Sequence, residues 1–424
     1  MGMFGFFLPA LLATMPLPQP HARGFSPQPH VRKQWWGLKH FFTSSNLLLL
    51  LVFVPMGILG GHNGWSSTFV FTTSMLGILP LAMLLSNATE ELAAVAGEVL
   101  GALLNATFGN AVEMIVSTVA LTRGEIKIVQ SSMLGAVLSN ILLCLGTCLF
   151  IGGYKHDCQF NATAASTMAS LMVVASSSLI VPAALNLAFP SISVPLEQSP
   201  TAGSATAHSL PSILVLSRGT SIILLVLYLI YLHFQLKSHT HLFCDAQDEP
   251  DTPADPNNST NVSLEAAPVT LQPPMAIGVL AIISLLIAMC AENLVNTLDD
   301  VVSSMHINKT FIGLIILPIV GNAAEYVSAF RASAKGKMSL ALGVAVGSSM
   351  QIALFVTPAL VILGWLLGQP MSLSFEPFGA IVFYLSVIVV EGVISDGDSN
   401  YLEGAMLVGV YMIVALGFFV FPTE

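Results

Sequence analysis

Between Val99 and Leu121 the chain carries a single charged residue, Glu113, in a run otherwise apolar and long enough to cross a bilayer. Hydrocarbon takes about 20 apolar residues of helix to span, and runs of this length recur along the 424 residues. Inside lipid each backbone N–H and C=O must find its partner within the protein, which leaves helices and closed barrels. These runs are too long for barrel strands, so they read as helices. Charged residues make up only 8% of the chain, against about 25% in a soluble domain. The expected fold class is therefore an all-α polytopic membrane protein.

Apolar segments at 46–61, 66–97, 98–121, 126–151, 162–186, 213–235, 274–300, 306–332, 337–366, 375–392 and 400–421 predict about 11 transmembrane helices. Residues 1–45 are expected to form a disordered, weakly apolar N-terminal tail rich in Pro and His; its apolar start lacks the basic residues that precede a signal-peptide core. Residues 236–273 carry six acids (Asp245, Asp248, Glu249, Asp251, Asp255, Glu265), and no Lys or Arg lies between Lys237 and Lys309. This acidic linker divides the chain after the sixth span. Cytoplasmic loops collect Lys and Arg. A cytosolic N-terminus puts nine basic residues on that side, including Arg331, Lys335 and Lys337, and four on the other (Arg123, Lys127, Arg218, Lys309). The tail and the linker are then both expected in the cytosol. Five cysteines without a CxxC pair predict neither a disulfide framework nor a zinc site.

The phrase around Glu113 is written twice. "GNAVEMIVS" at 109–117 returns 212 residues later as "GNAAEYVSA" at 321–329. The match continues without gaps, "GEIKIVQSSMLGAVLSNILLCLG" (124–146) against "GKMSLALGVAVGSSMQIALFVTP" (336–358). Five spans separate the copies, an odd number, so they enter the membrane from opposite sides. The layout expected is one extra helix at 46–65, a five-helix repeat at 66–235, the linker, and an inverted five-helix repeat at 274–424. Inverted repeats are the mark of secondary transporters, which bind their cargo near the midplane where the repeats meet.

Acids within spans are costly and are functional by default. Gly109 and Gly321 allow a helix break and close backbone approach. Asn110 with Glu113, and Asn322 with Glu325, share a helix face at i,i+3. Two carboxylates, two amides and freed carbonyls are hard oxygen donors that suit Ca²⁺, which takes about 6–8 oxygens. Ser139, Ser348 and Gln351 are candidates to complete the shell. The motifs hold no thiolate or imidazole, which disfavours zinc and copper but leaves Mn²⁺ open. Two carboxylates balance one divalent cation; when it leaves, their mutual repulsion in a desolvated site favours protons in its place. Such mutual exclusion is an exchange mechanism. Glu90 and Glu292, near the ends of the preceding spans, are candidates for a proton pathway.

These motifs, with "QSSMLGAVLSN" and "VAVGSSMQIALF", resemble the cation/proton exchangers of the Ca²⁺/cation antiporter superfamily, of the fungal and plant vacuolar Ca²⁺/H⁺ type, over roughly residues 46–421. The resemblance implies eleven spans, Ca²⁺ held by Glu113 and Glu325 with help from carbonyls near Gly109 and Gly321, and an acidic cytosolic segment after the sixth span. It implies a vacuolar or other acidic endomembrane, with Ca²⁺ and H⁺ as substrates and no cofactor. Two positions depart from the pattern: Tyr326 stands where His is common, and Asn296 where Asp is frequent.

The alternatives are an Na⁺/Ca²⁺ or Mn²⁺/H⁺ exchanger of the same superfamily and, more distantly, an intramembrane hydrolase. Na⁺-using relatives place Ser and Thr around the glutamate where Gly-Asn-Ala stands here. A hydrolase needs a nucleophile with its base or a motif such as HExxH, and neither occurs. The partners expected are the two ions and the lipid bilayer. Nothing basic enough for nucleic acid exists, and a homo-oligomer is compatible with the sequence.

Overall fold

The computed structural model describes residues 46–154, 157–188, 212–240 and 273–420. The tail 1–45 and the six linker acids lie outside the described residues. What is described is nearly all helix. A 3₁₀ stretch, Asn46–Val52, leads into α1 (Phe53–His62). There follow α2 (Ser67–Ala96), α3 (Glu98–Phe108), α4 (Ala111–Thr122), α5 (Ile126–Gly152), α6 (Ala162–Ala188) and α7 (Ile213–Ser238). The second half holds α8 (Pro273–Asn296), α9 (Leu298–Met305), α10 (Lys309–Gly321), α11 (Ala323–Ala334), α12 (Met338–Leu367), α13 (Pro377–Ile394) and α14 (Tyr401–Phe419).

Eight of these are long and apolar enough to span a membrane, and α9 with α10 make a further pair bent by 116°. Against the eleven spans expected, the described residues thus show eight continuous ones, or nine with the bent pair. The run expected as one helix at 98–121 is split into α3 and α4, and the run at 306–332 into α10 and α11. Both splits fall at the motif asparagines: Asn110 (φ −99°, ψ 25°) and Asn322 (φ −84°, ψ 6°) leave the helical region. The glycines expected to break the helix do not. Gly109 is helical (φ −56°, ψ −41°) and Gly321 closes α10. The bend between α9 and α10 turns on His306, held at φ 55°.

The two halves match in detail. Each motif helix ends in a Schellman cap, in which a glycine at positive φ lets two orphan carbonyls accept backbone N–H groups. Gly124 (φ 78°) follows α4, with Glu125 N–H donating to Ala120 O and Gly124 N–H to Leu121 O. Gly336 (φ 77°) follows α11, with Lys337 N–H donating to Ala332 O and Gly336 N–H to Ser333 O. The next helix in each half then widens into a π-helical turn, Ser139–Cys144 in α5 and Ile352–Val356 in α12. At the 212-residue offset these turns coincide to within one residue.

In the packing, α2 lies along α8, α4 packs on both α5 and α8, and α11 packs on α5 and α12. Apolar on every side, α5 is the innermost helix, with Met133, Leu138, Ile141 and Leu142 fully buried. Contacts between chain turns gather at two ends. At one end Lys309 meets Glu125, and Ser67 Oγ donates to Asp300 at 2.5 Å. At the other, a two-residue ladder pairs Cys158 with Ser399, and Ser333 Oγ donates to Cys148 O at 2.5 Å. From its split, α4 runs to the first end at Arg123; α11 runs from its split to the second, at Ser333.

Candidate functional site

The starts of α4 and α11 meet in the interior, each flanked by the π-turn helix of the other half. Asn110 donates from Nδ2 to Gln351 Oε1 at 2.7 Å and its Oδ1 faces Ser348 Oγ at 3.0 Å. Asn322 donates from Nδ2 to Ala136 O at 3.4 Å and reaches Ser139 Oγ at 3.5 Å. Adding 212 to 136 and 139 gives 348 and 351. Each motif asparagine thus grips the same two positions of the opposite half, using whichever oxygen the local residue offers. The π-turns begin at or just after these positions, and such bulges commonly mark functional sites.

Glu325 accepts from Ser348 Oγ at 2.9 Å and from Asn140 Nδ2 at 3.1 Å, and Asn140 also donates to Ser348 at 3.2 Å. Ser348 therefore joins both motifs, standing between Asn110 and Glu325. Its single hydroxyl proton can serve one of these acceptors at a time. Asn140 is the participant that reading the sequence missed. The signal was present: it is the sole Asn in an otherwise apolar stretch, directly after Ser139.

Glu113 is 5% exposed, and its Oε1 has no hydrogen-bond donor among the described residues. The same holds for the buried Oδ1 atoms of Asn140 and Asn322. The carboxylates of Glu113 and Glu325 lie close enough to interact electrostatically. Gly321 supplies the room: a Cβ there would stand 2.6 Å from Glu113 Oε1. The interior is rich in acceptors and short of donors, an arrangement that costs free energy unless a cation or protons complete it.

The motif residues, Ser139, Ser348 and Gln351 are all gathered here. Gly109 takes part differently from Gly321, since it is exposed, as is Asn105 one turn before it. Tyr326 is buried beside Asn322, Ser139 and Tyr411. Two expected residues are not brought to the pair. Glu90 is exposed on α2, where Ser86 Oγ donates to it at 3.4 Å. Glu292 is ion-paired with Arg123 at the first end, both side chains half exposed. A cavity next to Glu113, lined by Val116, Ser132, Leu294, Leu317 and Gly321, lies toward that end.

Fold and interior together define a polytopic helical membrane protein with a carboxylate from each of two matched helices at its centre. The chain belongs to the sodium/calcium exchanger protein family, whose model matches residues 66–237 and 275–420. It is 43% identical over 385 residues to the vacuolar calcium ion transporter of Schizosaccharomyces pombe, covering 91% of this chain and 87% of that one. It is 37% identical over 374 residues to the Ca²⁺/H⁺ antiporter of Aphanothece halophytica, covering 88% and 96%. Among solved structures, the Ca²⁺/H⁺ antiporter protein YfkE matches with a TM-score of 0.68 at 34% identity over 90% of this chain and 99% of that one. The H⁺/Ca²⁺ exchanger CAX shares the fold, with a TM-score of 0.63 at 13% identity over 89% and 93%.

Proposed function

We propose that this chain exchanges Ca²⁺ for protons across a membrane by alternating access, moving cytosolic Ca²⁺ into an acidic compartment. The observation that carries this reading is the acceptor-rich interior shared by Glu113 and Glu325. Asn140 and Ser348 touch Glu325, Asn110 and Gln351 are bonded to Ser348 or to each other, and Asn322 reaches Ser139. With the two carboxylates this gathers oxygen donors of the kind that suits Ca²⁺. With the cation present the pair is charge-balanced. With the cation gone, protons remove the repulsion between the carboxylates. Because both cargoes use the same oxygens, Ca²⁺ affinity falls as pH falls. Neutralising the pair also eases the return step, since one uncompensated charge crossing 100 mV is worth about 2.3 kcal/mol.

The finer layout belongs to the same proposal: one extra helix, two inverted five-helix repeats with α3–α4 and α10–α11 as their broken spans, and eleven crossings. The opposite destinations of α4 and α11 support inversion. Leading into α1, the 3₁₀ stretch supports the extra crossing, because a 3₁₀ turn rises faster per residue and the two together reach about 29 Å. A cytosolic N-terminus and linker follow from the basic-residue count. A vacuolar membrane fits the relatives' names, and Glu90 and Glu292 remain candidates for proton passage at the rims.

The test is Ca²⁺ uptake by purified protein in liposomes under imposed gradients. A proton gradient should drive uptake and a sodium gradient should not. Glu113→Gln and Glu325→Gln, which keep size but lose charge and titratable proton, should each abolish proton-driven uptake while still inserting. Uptake driven by sodium alone would favour the Na⁺/Ca²⁺ reading, and near-parental uptake by either Gln variant would sink the shared-site mechanism.

A further inference from the structure

The ion pairs at the first end join the two halves of the chain. Arg123, in the turn after α4, pairs with Glu292 of α8. Lys309, at the start of α10, pairs with Glu125 at 2.9 Å, and with Asp299 of α9 at 2.6 Å. Directly beneath lies the cavity that reaches Glu113. Its lining residues Val116, Ser132 and Leu317 sit seven or eight residues along α4, α5 and α10 from Arg123, Glu125 and Lys309, about 10–12 Å. On α8 the lining residue Leu294 is two residues from Glu292, so the cavity extends from beside Glu113 up to the ion pairs. On the opposite side Gly109 and Asn105 are exposed and Glu325 is partly exposed. Close packing is one-sided in the same sense. A Cβ on Gly135 of α5 would collide with the backbone of Leu314 in α10, whereas its counterpart Gly347 has nothing within 4 Å among the described residues.

We propose that the Arg123–Glu292 and Lys309–Glu125/Asp299 pairs form an ionic latch closing the pathway on this face. The cavity under it is then the route by which the site reaches that face once the latch parts. Resting on the exchange reading, this assigns Arg123, Lys309 and Glu125 to gating, and gives Glu292 a gating role beside its candidacy for proton passage. Exposed ion pairs are individually weak, as a latch that must break in every cycle requires. A pair that favours one state shifts the population by its own contribution and no more.

The test is labelling of Ser132→Cys by a membrane-impermeant thiol reagent in sealed proteoliposomes without an ion gradient. It uses a Cys244→Ala background, the other four cysteines being buried. Arg123→Gln and Glu292→Gln should each raise the labelling rate from the latch face by about fivefold, the reach of one well-placed surface pair. The swapped pair, Arg123→Glu with Glu292→Arg, should restore the slow rate. Thermal unfolding of each variant separates a loosened latch from a misfolded chain. Unchanged labelling in folded single variants, or a swap as fast as the singles, would overturn the proposal. The labelling reads access without regard to which ions are exchanged, so failure of the Ca²⁺/H⁺ reading would show separately, in uptake by the parent protein.

Discussion

Replacing Gly321 with alanine adds one carbon where Glu113 Oε1 already stands. The new Cβ would be 2.6 Å from that oxygen, and ordinary contact begins at 3.4 Å, so the oxygen must retreat by 0.8 Å. A carboxylate can swing that far by an off-rotamer turn costing about 0.5–1.5 kcal/mol. Alanine returns about 1 kcal/mol over glycine within a helix. The fold is therefore expected to keep its stability. The site is not, because metal–ligand distances tolerate only about 0.2 Å and the retreat is four times that. Loss of one carboxylate oxygen from the shell should lower proton-driven Ca²⁺ uptake at least about tenfold, the equivalent of 1.4 kcal/mol. Uptake in proteoliposomes, with thermal unfolding alongside, measures both halves of the argument. Gly409→Ala, at a position with nothing within 4 Å among the described residues, is the control and should transport normally. Near-parental uptake by Gly321→Ala would refute the claim that this glycine makes room for a working carboxylate.

Asn140→Ala removes the amide that holds Glu325 and Ser348; a hydrogen bond to a charged group is worth about 1.5–3 kcal/mol. The Ca²⁺ concentration for half-maximal uptake should rise about tenfold or more, and an unchanged value would remove Asn140 from the site. Gly135→Ala forces α5 away from the Leu314 backbone and should cost about 1–3 kcal/mol of stability as overpacking, read as a lowered melting temperature beside that of Gly409→Ala. Cysteines placed at Ser26 and Asn258 should be labelled from the same face of sealed vesicles; opposite faces would mean a crossing has been miscounted.

For a physical reason, reading the sequence located the apolar helices and picked out the two glutamates that the structure brings together. Lipid-length apolar runs admit few structures, and an acid inside one needs a purpose. Glu113 and Glu325 stood out because their surroundings are silent. The breaks were placed one residue early, at glycines. Backbone freedom is a permission, and it was the asparagine side chains, bonded across to the other half, that used it. The π-turns left no trace because one residue of extra winding hardly alters an apolar pattern. The bend at His306 was equally hidden, since α9 buries only Leu298 and Val301 and reads as the fringe of its neighbours. Arg123 and Glu292 are 169 residues apart, and nothing local in either announces the other.

Gly135 and Gly347 hold matched places in two copies of one phrase, yet one is pressed against a neighbouring backbone and the other meets nothing within 4 Å among the described residues. One half of the chain is thus a cast of the geometry the other half lacks. To face the opposite way the molecule needs no new kind of contact, only to trade which copy is pressed. On the inverted-repeat layout proposed above, two end states assembled from the same parts in exchanged positions would start with nearly equal free energies. A balance that close can be tipped by small differences in affinity between the two states, and on the exchange reading one cation, or the protons that replace it, would be enough to choose the side.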